Sequence, residues 1–362
     1  MKKRVLMVSV AELGTSGVSA IIMRLCRRFC AEYTFDVVTL CEKEGAFDEE
    51  FRQLGGEIFR FSIRAYEQNR ILFPLSFFQV KKQFQELLKT RSYDIIHCHS
   101  GYFDGIFLWL AKKAGIRRRI SHAHGTYAWG GFNFVMRTYL RWCKELNRRN
   151  VTLRLACSDI AGETLFLGDD YINVLNPVDI SSYEAVKRSA KKGIGLVQIG
   201  YFCRLKNQLF SLAVLQRLLQ DGMDARLDFV GYPNEAGYYE KMQAFVAQNG
   251  LEERVRFLPP DTDKVQLFSD ADYCLLPSVS EGLPLTALEA QAARVMCLMS
   301  ERISANADVG AACFLPHDAV DVWVQQIKTG AQPDPEQLKQ KLECCCAENY
   351  LSTMKRLYEL GE

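Results

Sequence analysis

Two glutamates eight residues apart, Glu281 and Glu289, lie in a segment that favours a turn followed by a helix. Residues 277–295 read PSVSEGLPLTALEAQAARV, in which serines and a glycine precede Pro284, a residue suited to a first helical turn. A helix N-terminus has unpaired N–H groups and a positive dipole end, so it favours a phosphate. A carboxylate would repel a phosphate but can accept two hydrogen bonds from a sugar diol. The pattern therefore indicates a nucleotide-sugar site, although a capped, solvated helix would give the same spacing.

Four of the five histidines form two pairs, His97/His99 and His122/His124, each at the end of an apolar run. Alternate residues on a strand point to the same side, so each pair can present two imidazoles together. Zinc binding and a structural role in the core are alternative interpretations. Because no carboxylate or thiolate has a matching spacing, and no Asp-x-Asp motif stands in a plausible loop, we expect no required metal ion.

The composition is typical of a globular protein with two domains or one large domain. The chain has 362 residues, of which 48% are hydrophobic and 24% charged, which argues against disorder and coiled coils. The net charge of +2 is much lower than general nucleic-acid binders carry, so we expect no nucleic-acid partner. Thirteen cysteines and a start, MKKRVLMVSV, without signal-peptide features predict a protein of the reducing cytoplasm.

Basic residues are concentrated in the first half of the chain. Residues 1–180 carry a net charge of +7 and the remainder −5, with the excess centred on residues 91–150. A solvated face and an anionic partner, such as a lipid surface, both fit this excess. The helix-like segment 132–149 could lie on an anionic membrane or against the core. The apolar run 71–80 is too short to span a bilayer, so we expect only peripheral contact with the inner face of the cell membrane.

Strand-like runs alternate with helix-like stretches twice along the chain. Strands are predicted at 4–10, 35–40, 94–99, 119–124 and 153–158, with helices at 20–33 and 77–90. The pattern breaks at Asn176-Pro177 and restarts with strands at 195–200, 227–232, 254–259 and 272–278, then helices at 286–295 and 343–360. This alternation predicts two doubly wound parallel α/β domains in series. In such sheets ligands bind beyond the carboxyl ends of the strands.

Several sequence motifs of the chain resemble those of a known enzyme family. Residues 277–293, PSVSEGLPLTALEAQAA, resemble the Glu-x7-Glu segment of the family 4, or group 1, retaining glycosyltransferases. The histidine-bearing strands in 94–124, the interdomain stretch 155–183 and the loop GYFCRLKNQ at 200–208 resemble that family in the same order. The resemblance covers most of residues 4–300 and is closest to the bacterial capsule and exopolysaccharide branch.

The resemblance implies a GT-B fold, with two Rossmann-like doubly wound domains facing across a cleft. Residues 1–178 would form an N-terminal acceptor-binding domain, and 179–193 a linker. Residues 194–345 would form the nucleotide-sugar-binding domain. Residues 346–362 would form a helix that crosses back to pack on the N-terminal domain.

The same resemblance implies roles for individual residues. Lys206 matches the family's phosphate lysine, and Glu289 would hold the ribose. Glu281 would bind hydroxyls of the transferred sugar, and His124 would lie beside the reacting centre. The other residues expected to bind the donor are Gly17 in the glycine-rich loop, Leu258 beside the base, and Gly282, Leu283, Pro284 and Leu285 at the helix start.

One position departs from the family pattern. The family's phosphate arginine would follow Gly200, but Tyr201 stands there. Arg204 would reach the diphosphate instead if the loop is repacked. A missing guanidinium removes a fork that can hold two phosphate oxygens, which would reduce activity.

The expected function is transfer of a sugar from a nucleotide-sugar, with a UDP-sugar favoured, to a hydroxyl of a glycan or lipid-linked glycan. The resemblance implies retention at the anomeric carbon and a place in bacterial surface polysaccharide biosynthesis. The donor is a substrate, and no cofactor is expected. Two alternatives remain: a catalytically silent subunit that assists a partner transferase, which Tyr201 favours, and a nucleotide-sugar epimerase of similar architecture.

Overall fold

Two parallel sheets divide the chain into two α/β units. The structure, a computed structural model, describes residues 2–14, 16–61, 76–125, 134–184, 186 and 193–360. The first unit comprises Met1–Asn176 with Tyr350–Glu362, and the second comprises Pro177–Asn349. Residues 185 and 187–192 of the predicted linker lie outside the described residues.

The first unit is built on a seven-stranded parallel sheet with the order β3-β2-β1-β4-β5-β6-β7. Its strands are β1 Lys3–Ser9, β2 Tyr33–Thr39, β3 Ile58–Arg60, β4 Ile95–Cys98, β5 Arg118–Ala123, β6 Leu153–Ala156 and β7 Ile172–Asn173. Its helices are α1 Gly17–Phe29, α2 Asp48–Gln53, α3 Ser76–Thr90, α4 Asp104–Lys113, α5 Phe134–Asn150 and α6 Asp159–Phe166. The central strands are buried on both faces, as Val5 to Val8 of β1 show, which is typical of a parallel sheet covered by helices.

The second unit is built on a six-stranded parallel sheet with the order β10-β9-β8-β11-β12-β13. Its strands are β8 Ile194–Ile199, β9 Ala225–Val230, β10 Val255–Leu258, β11 Tyr273–Leu276, β12 Met296–Ser300 and β13 Ala312–Leu315. Its helices are α7 Ile180–Glu184, α8 Gln208–Gln220, α9 Tyr238–Gln248, α10 Lys264–Ser269, α11 Leu285–Ala292, α12 Val320–Lys328 and α13 Pro335–Cys344. Its core is centred on Trp323 and Phe229, both fully buried.

The last helix, α14 Ala347–Glu359, buries an apolar stripe in the core of the first unit. Tyr350, Met354, Leu357 and Tyr358 recur at helical spacing and are at most 4% exposed. The single helix predicted at 343–360 is wrong at its start. Residues 343 and 344 end α13, because the backbone turns at Cys345, whose carbonyl accepts a hydrogen bond from the Val178 amide (3.1 Å).

Helix α11 is shorter than the predicted helix 286–295. It ends at Ala292 because Arg294 takes a left-handed conformation, with φ of 61°, which an α-helix cannot accommodate. Among the described residues, none of the helices is long and apolar enough to cross a membrane.

Each sheet has one point at which the strand order reverses. In the first unit β1 lies beside β4, and in the second β8 lies beside β11. The crossovers on the two sides of such a point leave in opposite directions, which opens a crevice at the carboxyl ends of the strands. The loops that follow these four strands are therefore the places to look for a site.

A buried acid at the start of α4, Asp104, leads to a prediction about stability. Asp104 accepts hydrogen bonds from the Ser100 amide (2.7 Å) and the Ser121 hydroxyl (2.6 Å), and burial raises its pKa to about 8. In the unfolded chain this carboxyl titrates near 4. Between these pH values the folded protein holds a proton that the unfolded protein has lost, so stability falls as pH rises.

We expect Asp104→Asn to remove this pH dependence. The free energy of unfolding of the wild type should fall relative to that of the variant between pH 5 and 8, by up to about 1.4 kcal/mol per pH unit. Urea unfolding across this range measures the difference, and Asp170→Asn, which changes an exposed acid of the same unit, is the control. Parallel pH profiles for the wild type and Asp104→Asn would contradict the argument.

Candidate functional site

The loops after β8 and β11 meet through an ion pair in the second unit. The Lys206 ammonium pairs with Oε1 of Glu281, and the Ser278 hydroxyl donates to the same oxygen at 2.8 Å. The two charged side chains are mostly buried, with exposed fractions of 25% and 13%. The structure thus brings together a predicted phosphate lysine and a predicted sugar-binding acid, 75 residues apart in sequence.

Backbone geometry in the first loop places Lys206. Gly200 directly follows β8 with φ of 146°, which only glycine adopts readily, and a Cβ there would lie 3.3 Å from Cε of Lys206. The Gln198 side-chain amide donates to the Lys206 carbonyl at 2.7 Å. The Val279 amide donates to the Leu205 carbonyl at 2.8 Å, which joins the two loops directly.

Helix α11 begins beside this ion pair. Pro284 is its N-cap and gives the first turn no side-chain hydrogen bond, while its carbonyl accepts from the Ala287 amide at 3.0 Å. Leu283 is buried just before the helix, and Leu285 is its first residue. Gly282 directly follows Glu281, so the predicted turn-to-helix arrangement is present around the paired carboxylate.

Glu289 lies on the same helix and has partners that the sequence did not indicate. Lys264 donates to its Oε2 at 2.7 Å, and the Glu289 side chain is 17% exposed. The Tyr183 hydroxyl bonds to it as well, and burial, followed by this carboxylate, raises the pKa of Tyr183. Lys264 is the first residue of α10, whose N-cap Asp263 accepts from the Val265 amide at 2.8 Å. This cap was the available signal in the sequence, but it predicts only a helix start and not a partner for Glu289.

Two other predicted donor residues of this unit, Arg204 and Leu258, have partners outside the ion pair. Arg204 pairs with Glu235 through both its backbone amide (2.9 Å) and its guanidinium, and its side chain is 78% exposed. Tyr201, at the family's arginine position, packs edge-on against Tyr232 with ring centroids 4.9 Å apart. Leu258 ends β10, where its carbonyl accepts from the Gly231 amide at 3.1 Å.

The first unit contributes a layer of four imidazoles at the ends of β4 and β5. Nδ1 of His99 lies 2.8 Å from Nε2 of His124, and Nε2 of His97 lies 3.3 Å from Nδ1 of His122. The two rings of each pair on one strand have centroids 4.1 Å apart. The expectation that each pair points to one side of its strand is confirmed by these distances.

The environment keeps these imidazoles neutral. Burial, reinforced by neighbouring histidines, holds the pKa values of His97, His99 and His122 well below their ordinary range. Burial also lowers the pKa of His124 to about 3. Neutral imidazoles can each donate one hydrogen bond and accept another, so the layer is suited to orienting polar groups rather than to charge pairing.

In the described part of the chain, one group of side chains could hold a metal ion. His97, His99 and His122 each offer a ring nitrogen, and these atoms lie within 4.8 Å of one another. Both nitrogens of His97 already have partners, His122 and the Tyr358 hydroxyl, so metal binding would have to replace a hydrogen bond. The expectation that no metal is required stays a prediction.

Gly17 is the first residue of α1, after the glycine-rich loop that follows β1. Ser16 is the N-cap, and its hydroxyl oxygen accepts from the Ser19 amide at 3.2 Å. Thr15, within the same loop, lies outside the described residues. Gly17 thus stands at a helix N-terminus beside the switch point of the first sheet, three residues before the predicted helix start at 20.

Comparison with known proteins assigns both units. Residues 16–167 match the family model described as Glycosyl transferase 4-like domain, and residues 194–332 match the one described as Glycosyl transferases group 1. The chain belongs to the group 1 glycosyltransferases. The predicted family and enzyme class are therefore confirmed.

Several bacterial proteins resemble this glycosyltransferase over most of their length. EpsF of Bacillus subtilis, described as a glycosyltransferase, is 27% identical over 94% of this chain and 92% of its own. CapH of Staphylococcus aureus, a capsular polysaccharide biosynthesis glycosyltransferase, is 25% identical over 77% and 76%. The Escherichia coli UDP-Gal:alpha-D-GlcNAc-diphosphoundecaprenol alpha-1,3-galactosyltransferase is 22% identical over 74% and 71%.

The fold of the glycosyltransferase also matches solved structures. The Anabaena HepE structure in complex with UDP superposes with a TM-score of 0.76 at 15% identity, covering 98% of each chain. The predicted fold class, two parallel α/β units of the GT-B type, is confirmed by this match and by the two sheets.

The contact between Gly200 and Lys206 yields a prediction about the glycosyltransferase loop. We expect Gly200→Ala to lower the free energy of unfolding by about 2 to 3 kcal/mol, because it combines backbone strain with a displaced lysine. Gly222→Ala is the matched control, since Gly222 has φ of 77° but nothing within 4 Å of an added Cβ. The control should cost only about 1 kcal/mol in urea unfolding, and equal costs for the two variants would show that neither the φ of Gly200 nor its closeness to Lys206 adds to the cost.

Proposed function

We propose that this glycosyltransferase moves a sugar from a UDP-sugar to a hydroxyl of a lipid-linked glycan, with retention at the anomeric carbon. The observation that carries the proposal is the arrangement on α11 of the second unit. Lys206 and Glu281 meet at its N-terminus, and Glu289 lies on the helix itself with most of its side chain buried. Cations and N–H groups bind a diphosphate, and carboxylates accept hydrogen bonds from sugar or ribose hydroxyls, so this order of groups fits a nucleotide-sugar.

The ion pairs explain how the two acids can be held in place before the donor arrives. Lys206 holds Glu281, and Lys264 holds Glu289, each through one carboxylate oxygen. A bound donor would offer Lys206 a phosphate oxygen, and its sugar hydroxyls would donate to the carboxylates. Because the groups are already oriented, binding needs little rearrangement of side chains.

The proposed reaction needs no protein nucleophile. The bond between the anomeric carbon and the diphosphate oxygen breaks, while the acceptor oxygen forms a bond to the same carbon from the same face. The acceptor proton passes to the departing phosphate oxygen, so the diphosphate leaves with charge that Lys206 and the N-terminus of α11 stabilise. His124, neutral at physiological pH, would donate or accept a hydrogen bond beside the reacting centre.

Relatives support the choice of donor and acceptor. The Escherichia coli relative is named for UDP-Gal and for a diphosphoundecaprenol acceptor, and the HepE structure contains UDP. CapH is named for capsular polysaccharide biosynthesis. We therefore propose that the activity belongs to bacterial surface polysaccharide synthesis and takes place at the cytoplasmic face of the membrane.

One observation favours a second candidate, a catalytically silent subunit that assists a partner transferase. Tyr201 supplies no positive charge, and Arg204 is engaged by Glu235 and mostly exposed. Lys206 is then the one described cation that the structure places against Glu281. A silent subunit would bind a nucleotide but release no product with any acceptor.

A surface of the first unit supports contact with an anionic bilayer. The aromatic patch is formed by Phe77, Phe78, Trp109 and Trp142, and Phe134 is a further exposed ring, at the start of α5. Phe78 and Phe134 are 65% and 80% exposed, and the Phe77 ring lies 5.0 Å from that of Trp142. Lys113 lies over the Trp109 ring at 4.1 Å, and α5 also presents exposed arginines at 137 and 141. Exposed aromatics beside basic residues fit the interface of an anionic membrane, with apolar rings among acyl chains and cations at the head groups.

We expect the purified protein to bind UDP-sugars and to turn over with a lipid-linked acceptor. In a thermal-shift panel of UDP-, GDP-, ADP- and dTDP-sugars, UDP-sugars should stabilise it most, in a concentration-dependent way. NMR of the product should show the anomeric configuration of the donor, and inversion would contradict the proposed mechanism. Binding of UDP without turnover of any acceptor would favour the silent subunit.

Lys206→Met should weaken UDP binding by about tenfold or more, because a charge-assisted hydrogen bond to phosphate is lost. Isothermal titration calorimetry measures the dissociation constant. Lys328→Met is the matched control in the same unit, since Lys328 is 30% exposed and pairs with Asp221 at 2.6 Å. Equal affinities of the Lys206→Met variant and the wild type for UDP would show that this lysine does not bind the phosphates.

Vesicles test the aromatic patch. The protein should co-sediment with phosphatidylglycerol-containing vesicles and much less with phosphatidylcholine alone. Phe78→Ser combined with Phe134→Ser should reduce binding by at least about tenfold, since each buried ring contributes about 1.5 to 3 kcal/mol. Val322→Ser, at an exposed apolar residue of the second unit, should have no effect. Undiminished binding of the double variant would argue against this surface.

A further inference from the structure

A hydrogen-bonded chain runs from the last helix into the imidazole layer. The Tyr358 hydroxyl on α14 lies 2.8 Å from Nδ1 of His97, and Nε2 of His97 lies 3.3 Å from Nδ1 of His122. Tyr358 is 2% exposed, and both histidines are fully buried. The family resemblance assigned no role to Tyr358, and a core tyrosine needs no hydrogen bond to a histidine in order to pack.

Counting donors and acceptors fixes the direction of this chain. Among the described residues, His97 is the one hydrogen-bond partner of the Tyr358 hydroxyl. If the hydroxyl accepted from His97, its own proton would be buried without an acceptor, which is costly. The hydroxyl therefore donates to Nδ1 of His97, which places the His97 proton on Nε2. That proton goes to Nδ1 of His122, so His122 also carries its proton on Nε2.

Burial supports this direction. The pKa of Tyr358 is raised well above its ordinary value by burial, so the hydroxyl keeps its proton at neutral pH. Among the described residues, Nε2 of His122 has no hydrogen-bond partner, so the chain ends there with a proton. The reversed chain would leave two buried groups unsatisfied, the Tyr358 proton and Nε2 of His122, instead of one.

We propose that Tyr358 is a positioning residue that fixes the tautomers and ring orientations of His97 and His122, and through them the ring of His124. The His122 and His124 rings have centroids 4.1 Å apart, so a tilt of the His122 ring would displace the His124 ring that packs against it. This inference rests on the proposed function to the extent that His124 lies beside the reacting sugar. The tautomers themselves do not depend on any activity.

The chain offers a close control on the same helix. Tyr350, two turns before Tyr358, is also buried, with an exposed fraction of 4%. Its hydroxyl has no hydrogen-bond partner among the described residues. Tyr358→Phe and Tyr350→Phe each remove one buried oxygen from the same core. Only Tyr358→Phe removes a hydrogen bond to a histidine.

Nitrogen-15 NMR of the histidine-labelled protein tests the tautomers. Single histidine substitutions assign the signals, and His317, which bonds to Glu301 in the second unit, is an internal reference. In the wild type, His97 and His122 should both show a protonated Nε2 and a bare Nδ1. Tyr358→Phe should convert them to a mixture of tautomers, whereas Tyr350→Phe should leave them unchanged.

Kinetics test the consequence for transfer. We expect Tyr358→Phe to lower kcat about tenfold with the donor KM within about twofold, because the donor groups lie on the second unit. Tyr350→Phe should keep kcat within about twofold of the wild type. Equal losses of kcat in the two variants would mean a general packing effect and would overturn the proposal.

Two spectroscopic results would also overturn it. One is a protonated Nδ1 on His97 in the wild type, and the other is unchanged tautomers in Tyr358→Phe. A stoichiometric metal ion bound to His97 in the purified protein would equally contradict the hydrogen-bonded chain. If the wild type showed no turnover, the proposed function and the kinetic consequence would fail together, while the spectra would still decide the tautomers.

Discussion

The reversal of strand order in each parallel sheet is the constraint on which the candidate site depends. Strands β8 and β11 are neighbours, yet 75 residues separate Lys206 from Glu281. Only the sheet brings the two loops together, because the crossovers on either side leave in opposite directions and free the space above the strand ends. Within these loops, Gly200 lets the backbone pass close to Lys206, and Pro284 caps the start of α11.

The second unit stabilises its carboxylates by partial burial with a cation beside each. Full burial of Glu281 or Glu289 would carry a large desolvation cost, and full exposure would leave the side chains unordered. With exposed fractions of 13% and 17%, the acids remain accessible, and each lysine limits the directions in which they can point. A ligand with phosphate and hydroxyl groups can take over the same contacts, with its phosphate charge facing Lys206.

Much of this could be predicted from the sequence, because local patterns carry it. Apolar runs predicted the strands, the turn formers before Pro284 predicted the start of α11, and the alternation predicted two doubly wound units. What was missed depends on contacts between distant segments. The partners of Glu289, Lys264 and Tyr183, come from other helices, and nothing local in PPDTDKV indicates that its lysine meets a glutamate. The break at Cys345 was missed for the same reason, since it follows from pairing with Val178.

The polar residues of the two candidate site regions lie in different environments. They are mostly buried in the first unit and partly exposed in the second. At the ends of β4 and β5 the side chains are buried, so they are imidazoles, which can lose their charge and still form two hydrogen bonds each. Asp104, the buried carboxyl beside this layer, has its pKa raised to about 8 by burial. Neutral imidazoles are oriented by the direction of their hydrogen bonds and not by charge. That direction is fixed by a donor whose proton has a single possible acceptor. In the described chain Tyr358 is such a group for His97, which makes the last helix part of the chemistry of the first sheet as well as of its core.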